Sequence, residues 1–205
     1  MPVSGKTDIR VLALFASPRK TGASSTIHES FISGLGTASV RRVHLYDLDI
    51  RPCTACGHCV SRRECVFTDD MTPMYDALDE AHLLSISMPL YFSAPPGPLK
   101  LFIDRTQVLW ERARRGERRP INTGTGVLIC TGGARYRNMF HPSVTIIRHF
   151  FNSSGFEYNR RNFLLYADME GLIGSTIPGK YLSRARNYGA ACRERLERQI
   201  RGAHL

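Results

Sequence analysis

The order of apolar segments predicts an α/β domain, a doubly wound sheet of five parallel strands with helices on both faces. Three observations carry that prediction. Short, nearly continuous apolar runs recur along the chain, as in strands buried on both faces. Between them, apolar residues repeat every three or four positions, the spacing of an amphipathic helix. Stretches rich in Gly, Pro and hydroxyls separate the two kinds of segment, so strands and helices alternate.

The first strand is IRVLALF at 9–15, and a second covers 40–46, more polar and so nearer an edge. The third spans 83–88 and stops at Pro89; the fourth spans 126–130 and stops at Thr131-Gly132-Gly133; the fifth spans 163–167. Thr26-x-x-Glu29 reads as a capping box for a helix with Ile27, Phe31 and Leu35 on one stripe and Gly36 as its stop. Asp69 or Asp70 is expected to cap a helix carrying Met74, Leu78 and Ala81, with Pro73 tolerated in its first turn. One long helix is expected through Leu99, Phe102, Ile103, Thr106, Leu109 and Trp110. Another carries Val144, Ile147 and Phe151 up to Gly155, and a last one carries Ala185, Tyr188, Cys192, Leu196 and Ile200. The 205 residues are expected to form a single domain with a cysteine-rich insertion at about 47–68.

Composition narrows the class. With 42% apolar and 22% charged residues the chain reads as a soluble globular protein. No apolar run approaches the roughly 20 residues of a membrane span, and the first ten residues do not read as a secretory signal, so a cytoplasmic location is expected. There, six cysteines point to metal or redox work rather than structural disulfides. The net charge of +10 is concentrated at Arg112, Arg114, Arg115, Arg118 and Arg119 and, near the C-terminus, at Arg184, Arg186, Arg193, Arg195, Arg198 and Arg201. No nucleic-acid-binding signature accompanies these runs, so nucleic acid is not the expected partner. Solvated helix faces, a docking face for an acidic electron carrier and a self-association surface all account for them.

In a doubly wound sheet, ligands bind outside the carboxyl ends of the strands. Function is therefore expected in loops 16–25, 47–68, 89–98 and 131–142. The first loop is rich in hydroxyls, carries Arg19 and Lys20, and runs into a helix N-terminus, an arrangement suited to a dianionic phosphate. Ser17, Ser24, Ser25 and Thr26 are candidate donors, and Arg19 a charge-assisted one. A capped helix after a polar turn accounts for the same residues equally well. Neither G-x-G-x-x-G nor the Walker lysine pattern is present. The third loop offers Pro89, Leu90, Tyr91, Phe92 and Ser93, where aromatic rings could pack a flat ligand or simply anchor the loop. Thr131, Gly132 and Gly133 provide backbone N–H groups with close access. The second loop holds Cys53, Cys56, Cys59 and Cys65 within thirteen residues, as C-x2-C-x2-C-x5-C. Four thiolates so close suit an iron–sulfur cluster, with zinc or free thiols as alternatives. Cys130 and Cys192 fall at core positions and read as packing residues; Asp104-Arg105 reads as structural.

The stretch S-P-R-K-x-G after the first strand resembles the phosphate loop of the NADPH-dependent FMN reductase superfamily, matched here by Ser17, Pro18, Arg19, Lys20 and Gly22. Ala16 replaces a usual glycine and Ala23 a usual asparagine, which removes one expected phosphate donor. Pro89, Tyr91, Phe92, Leu99, Lys100, Asp104 and Arg105 follow a second signature of that superfamily. The segment P-C-T-A-C-G-H-C-V-S-R-R-E-C-V-F-T-D-D-M resembles the iron–sulfur flavoproteins of anaerobic archaea and bacteria. These resemblances cover roughly residues 9–140.

The resemblance implies a flavodoxin-like fold, FMN held by the three loops, and a [4Fe–4S] cluster on Cys53, Cys56, Cys59 and Cys65. It implies an electron-transfer oxidoreductase that takes electrons from a ferredoxin-like carrier and passes them through FMN to a small-molecule acceptor such as oxygen, peroxide or a quinone. No side-chain acid or base is required, because the flavin carries the chemistry. A homodimer or homotetramer is implied as well. The nearest rival is a cluster-free reductase on the same fold, with NAD(P)H as donor and flavin or quinone as acceptor. A non-catalytic flavin-binding or nucleic-acid-binding protein is the reading from another class.

Overall fold

A computed structural model describes residues 8–117, 119, 121, 124–172 and 176–202. Residues 1–7, from which the absence of a secretory signal was read, and Arg118 of the first arginine run lie outside the described residues. The strands are β1 Arg10–Phe15, β2 Ser39–His44, β3 Leu83–Pro89, β4 Gly124–Thr131, β5 Phe156–Glu157 and β6 Phe163–Tyr166. All pairs are parallel and the order is β2-β1-β3-β4-β5, with β6 also on β4. The helices are α1 Ala23–Gly34, α2 His58–Arg62, α3 Thr72–Glu80, α4 Gly97–Arg105, α5 Gln107–Arg114, α6 His141–Ser153 and α7 Gly179–Gly202.

The expected five-stranded sheet is present with its fifth position in two pieces. β5 pairs with Gly124–Thr125 and β6 with Leu128–Thr131 of the same neighbour. Between them the chain leaves the ladder in a short 3-10 turn, Arg160–Asn162, whose start is capped reciprocally by the side chains of Asn159 and Asn162. The Asn162 amide donates 2.7 Å to the Gly126 carbonyl, satisfying an acceptor the interrupted strand leaves behind. As its polarity predicts, β2 is an edge strand.

Alternate residues of the central strands feed two apolar layers. Val11, Ala13, Phe15, Val127 and Ile129 face α1 and α7; Leu12, Leu14, Leu84, Ile86, Met88, Leu128 and Cys130 face α3 through α6. α1 and α7 approach to backbone contact: a Cβ on Gly189 would strike the Phe31 carbonyl, and one on Gly34 the Arg186 carbonyl. Cys130 and Cys192 are fully buried, as packing residues should be.

Three local expectations are corrected. α1 starts at Ala23 with Gly22 as its N-cap and no side-chain cap, so Thr26 and Glu29 form no capping box. The Thr26 hydroxyl turns back to the Thr21 carbonyl, and Glu29 pairs with Arg42 at 3.0 Å. Neither Asp69 nor Asp70 caps α3, whose N-cap is Met71. The long helix through Leu99 and Trp110 is broken at Thr106, whose hydroxyl donates 2.6 Å to the Ile103 carbonyl and competes with helix continuation.

The first arginine run is largely neutralised inside the fold. Arg112 pairs with Asp79 at 2.6 Å, Arg114 with Glu111 at 3.1 Å and Arg115 with Glu117 at 2.8 Å. Arg119 donates to the carbonyls of Leu78 and Ala81 at the end of α3 and stacks on Phe156 at 4.0 Å. Among the described residues no helix is long and apolar enough to cross a membrane.

Candidate functional site

Parallel pairing brings the ends of β1, β3 and β4 to one edge of the sheet, with Phe15 opposite Ser87 and Pro89 opposite Thr131. Three of the four loops singled out by sequence therefore meet there. The bond from Ala16 N–H to the Ser87 carbonyl (2.8 Å) ties the first to β3, and that from Leu90 N–H to the Thr131 carbonyl (2.8 Å) ties the second to β4.

In the first loop, Ser17 and Ser25 both donate to the Arg19 carbonyl at 3.2 Å, and Ser17 also accepts from Arg19 N–H at 3.2 Å. With Thr26 bonded to Thr21, three of the four candidate phosphate hydroxyls shape the loop itself. The first amide bonded back across the helix start is that of Thr26, to the Gly22 carbonyl. The N–H groups of Ala23, Ser24 and Ser25, the Ser24 hydroxyl and the Arg19 guanidinium have no hydrogen-bond partner among the described residues. An uncapped N-terminus of a twelve-residue helix, flanked by a cation, fits a phosphate through backbone N–H groups and dipole together. The replacement of the usual asparagine by Ala23 leaves this backbone set intact.

In the second loop, Tyr91 and Ala94 exchange backbone hydrogen bonds of 3.1 and 2.8 Å across a two-residue turn. Phe92 and Ser93 at its tip have φ of +49° and +62°. Ser93 is clamped twice, its hydroxyl to Tyr136 at 2.7 Å and its carbonyl accepting from Ser143 at 2.8 Å. Pro89 and Leu90 are half-buried and Tyr91 is exposed. In the third loop, Thr131 and Gly132 are buried and Gly133 is exposed. Gly132 donates to the Tyr166 carbonyl at 2.8 Å and accepts from Met169 at 3.0 Å, and a Cβ on it would strike Met139.

The four cysteines line one cavity of about 370 Å³, with Phe67 and with Arg105, Gln107, Val108 and Glu111 from α4 and α5. Positive φ at Ala55, Gly57 and Arg63 makes the tight turns between them. Cys53 and Cys56 are exposed; Cys59 and Cys65 are half-buried. Burial pushes the Cys59 thiol up, and Glu111, Cys53 and Cys65 push it further. A soft four-sulfur donor set on one cavity fits an iron–sulfur cluster in kind. Among the described residues, however, no three Cys, His, Asp or Glu side chains converge in metal-holding geometry. His58 is directed toward Glu64, at 3.9 Å.

The loop is anchored by Arg105, which is 2% exposed. Its guanidinium grips Asp69 at 2.6 and 3.1 Å, donates to the Arg51 carbonyl at 2.8 Å and lies 5.1 Å from the Phe67 ring centroid. Burial works to raise the Asp69 carboxyl, but the Arg105 guanidinium and the N–H groups of Arg51 and Met71 hold it below the usual carboxylate range. Asp69 thus serves as the loop's anchor rather than as a helix cap.

Sequence reasoning missed one buried polar group. His28, on α1, accepts or donates at both ring nitrogens, to Ser87 at 2.9 Å and Ser85 at 2.8 Å on β3. The signal was present: Ser85 and Ser87 share one face of an otherwise apolar strand, and His28 lies beside Ile27 on a buried stripe. Burial, then Arg42 and His44, pushes the ring down to about 3. In the unfolded chain it titrates near 6.5, so between these values the unfolded state holds one more proton and stability is lost as pH is lowered. The slope is about 1.4 kcal/mol per pH unit, with no loss above about pH 7. Urea denaturation at pH 7 and pH 5 is expected to show the parent chain losing about 2 kcal/mol more than a His28→Gln variant. Equal losses would show that the buried imidazole does not act this way.

Sheet order and loop placement define the class, a flavodoxin-like α/β protein with three loops and an open helix start at the carboxyl edge of its sheet. The chain belongs to the NADPH-dependent FMN reductase family, which it matches over residues 9–146, and so to the flavin-dependent oxidoreductases. It is similar to an iron–sulfur flavoprotein from Archaeoglobus fulgidus, 30% identical over 99 residues, 47% of this chain and 45% of the relative. An iron–sulfur flavoprotein from Methanosarcina thermophila is 29% identical over 93 residues, 45% of this chain and 46% of the relative. The matched part thus spans about half the length of these curated relatives. The fold is shared with an NAD(P)H:quinone oxidoreductase from Methanothermobacter marburgensis, at TM-score 0.71 and 20% identity, covering 89% of this chain and 95% of that one. An FMN-dependent NADH-azoreductase from Bacillus anthracis shares it at TM-score 0.63 and 17% identity, covering 91% and 99%.

Proposed function

We propose that this chain is an FMN-dependent electron-transfer oxidoreductase whose cysteine loop holds a [4Fe–4S] cluster. The observation that carries the flavin assignment is the uncapped start of α1, where three N–H groups have no partner among the described residues, beside two loops on the same sheet edge. Ala23, Ser24, Ser25 and Arg19 would hold the phosphate; Pro89, Leu90, Tyr91, Ser93, Thr131, Gly132 and Gly133 would line the ring. When bound, the flavin supplies the electron chemistry, and the chain's task is to place it, screen it from water and tune it by hydrogen bonds. Cys53, Cys56, Cys59 and Cys65 would hold the cluster, which supplies one-electron transfer. The donor is then a ferredoxin-like carrier or NAD(P)H, and the acceptor a small molecule. Val60 and Val66 at the cysteine cavity and Trp110 on α5 are exposed apolar side chains, which supports assembly into a homodimer or homotetramer.

The cluster-free NAD(P)H-linked reductase is favoured by one observation, that the four thiols line a cavity without converging. Titration of apo-protein with FMN, followed by flavin fluorescence, tests what both readings share. The expected dissociation constant is about 1 µM or tighter. Ser24→Asp, which sets a carboxylate against the free N–H groups, is expected to weaken binding by at least roughly tenfold, about 1.4 kcal/mol. A parent chain that refuses FMN would overturn both readings, and a Ser24→Asp variant that binds normally would overturn the phosphate assignment.

A further inference from the structure

The end of the sheet opposite the three loops holds a largely buried cation without a counter-ion. Arg119 donates to the Ala81 and Gly155 carbonyls at 2.7 and 3.2 Å and to the Leu78 carbonyl, and it stacks on Phe156. None of these partners carries a formal charge. Asp79, the carboxylate whose field reaches Arg119, is already held by Arg112 at 2.6 Å. The fold makes room for this side chain at two glycines, since a Cβ on Gly124 or Gly155 would strike it. Burial pulls the guanidinium down to about 10, with Arg112 adding to the effect and Asp79 opposing it. Its Nε–H is buried and has no partner among the described residues.

Arg119 lines a cavity of about 270 Å³ between the ends of α5 and α6. The Ser154 hydroxyl, on a residue only 2% exposed, lines the same cavity and is also without a partner. Buried polar groups are paired as a rule, and buried charges more strictly still. Two open hydrogen-bonding groups beside a cation lacking its counter-ion mark the place of an anion that the chain does not itself supply. The remaining wall gives that anion its character. Leu109, Ala113 and Ile121 make one part apolar, and Glu117, bonded to Arg115 at 2.8 Å, adds a carboxylate.

We propose that this cavity binds a small organic monocarboxylate, its carboxylate on Arg119 and Ser154 and its apolar body against Leu109, Ala113 and Ile121. The guanidinium and the hydroxyl give the carboxylate charge-assisted hydrogen bonds. A dianion such as phosphate brings more negative charge toward Glu117 and offers nothing to the apolar wall, so the cavity discriminates against it. The site stands apart from the flavin reading. It lies where β4 and β5 begin, whereas the three loops gather at the carboxyl ends of the strands.

The Arg119 Nε–H is the reporter. In proton–nitrogen correlation spectra of the full chain with FMN present, benzoate is expected to move this resonance along a saturating curve, with a Kd of about 1 mM or tighter. Chloride at matched ionic strength is expected to leave it in place, and phosphate to bind at least about fivefold more weakly than benzoate. At about ten times the Kd, benzoate should raise Tm by roughly 3–5 °C. Ser154→Ala, which loses only an unpartnered hydroxyl, is expected to weaken benzoate about tenfold while its Tm without benzoate stays within about 2 °C of the parent. Arg119→Gln should abolish binding, but it also frees the carbonyls at the end of α3, so Ser154→Ala is the deciding variant. Absence of a saturating shift with benzoate, an equal shift with chloride, or parent-like binding by Ser154→Ala overturns the proposal. Phosphate binding more tightly than benzoate overturns the choice of an organic acid and gives the cavity to inorganic oxyanions.

Discussion

Arg105→Met is expected to cost about 3–5 kcal/mol of stability, because it leaves the buried Asp69 carboxylate without its counter-ion. The pair is almost completely enclosed, with side-chain exposures of 1% and 7%. The same guanidinium satisfies the Arg51 carbonyl, and the Tyr75 hydroxyl donates 2.9 Å to the Arg105 carbonyl, so the change loosens the cysteine loop, α3 and α4 together. Two comparisons separate an orphaned charge from lost packing. In the double variant Arg105→Met/Asp69→Leu both charges are gone, and most of the loss is expected to be recovered. The deficit of the single variant should also shrink on acidification. In the parent chain the Asp69 carboxyl is depressed, so its contribution is present above the ordinary carboxylate value and fades as pH falls through the lowered one. In Arg105→Met burial raises that carboxyl against only the N–H groups of Arg51 and Met71, and protonation then relieves the penalty as pH falls toward 4. Urea denaturation of the parent and both variants at pH 7 and pH 4.5 measures this. A double variant as unstable as the single one would assign the loss to packing.

The second large effect concerns iron. Anaerobic reconstitution of the parent chain with ferrous iron and sulfide is expected to load about four irons per chain. Broad visible absorption should then appear beside the flavin bands. Cys59→Ala, which removes a half-buried thiol from the centre of the cavity wall, is expected to bring iron to background while FMN affinity stays within about twofold, since the flavin loops lie elsewhere. Cys130→Ala and Cys192→Ala, in the core, should leave the iron content unchanged. Iron at background in the parent chain, together with steady NADPH oxidation, would remove the cluster and leave the FMN-dependent reductase. The separation of the four thiols from any common point makes this the sharpest choice among the predictions.

Much of the protein was legible in one dimension. Leu83–Pro89 and Gly124–Thr131 announce themselves as strands because burial on both faces leaves no room for polar alternation. The end of β1 running into α1 through a hydroxyl-rich turn marks a helix start, which always carries unpaired N–H groups. The cysteine spacing is equally local, and the fold places the four thiols on one cavity without bringing them into metal-holding geometry. All of these depend on neighbours a few positions apart, and sequence periodicity and spacing record such neighbours directly.

What only the tertiary structure decided are the pairings of polar groups far apart in the chain. Asp69 reads as a helix cap until Arg105, 36 positions later, is seen to hold it. The role of His28 shows only when Ser85 and Ser87, 57 and 59 positions away, close on its ring. The turn at Phe92-Ser93, at positive φ, is seen to be held only when Tyr136, 43 positions after Ser93, bonds the Ser93 hydroxyl. A buried charge, a neutral imidazole and a strained backbone each cost free energy that only a specific distant partner offsets. Composition and periodicity fix which segments are buried, but such partners meet only when the sheet assembles. The alternation of strands and helices of this family member is thus written in its sequence, whereas the anchoring of the cysteine loop belongs to the fold.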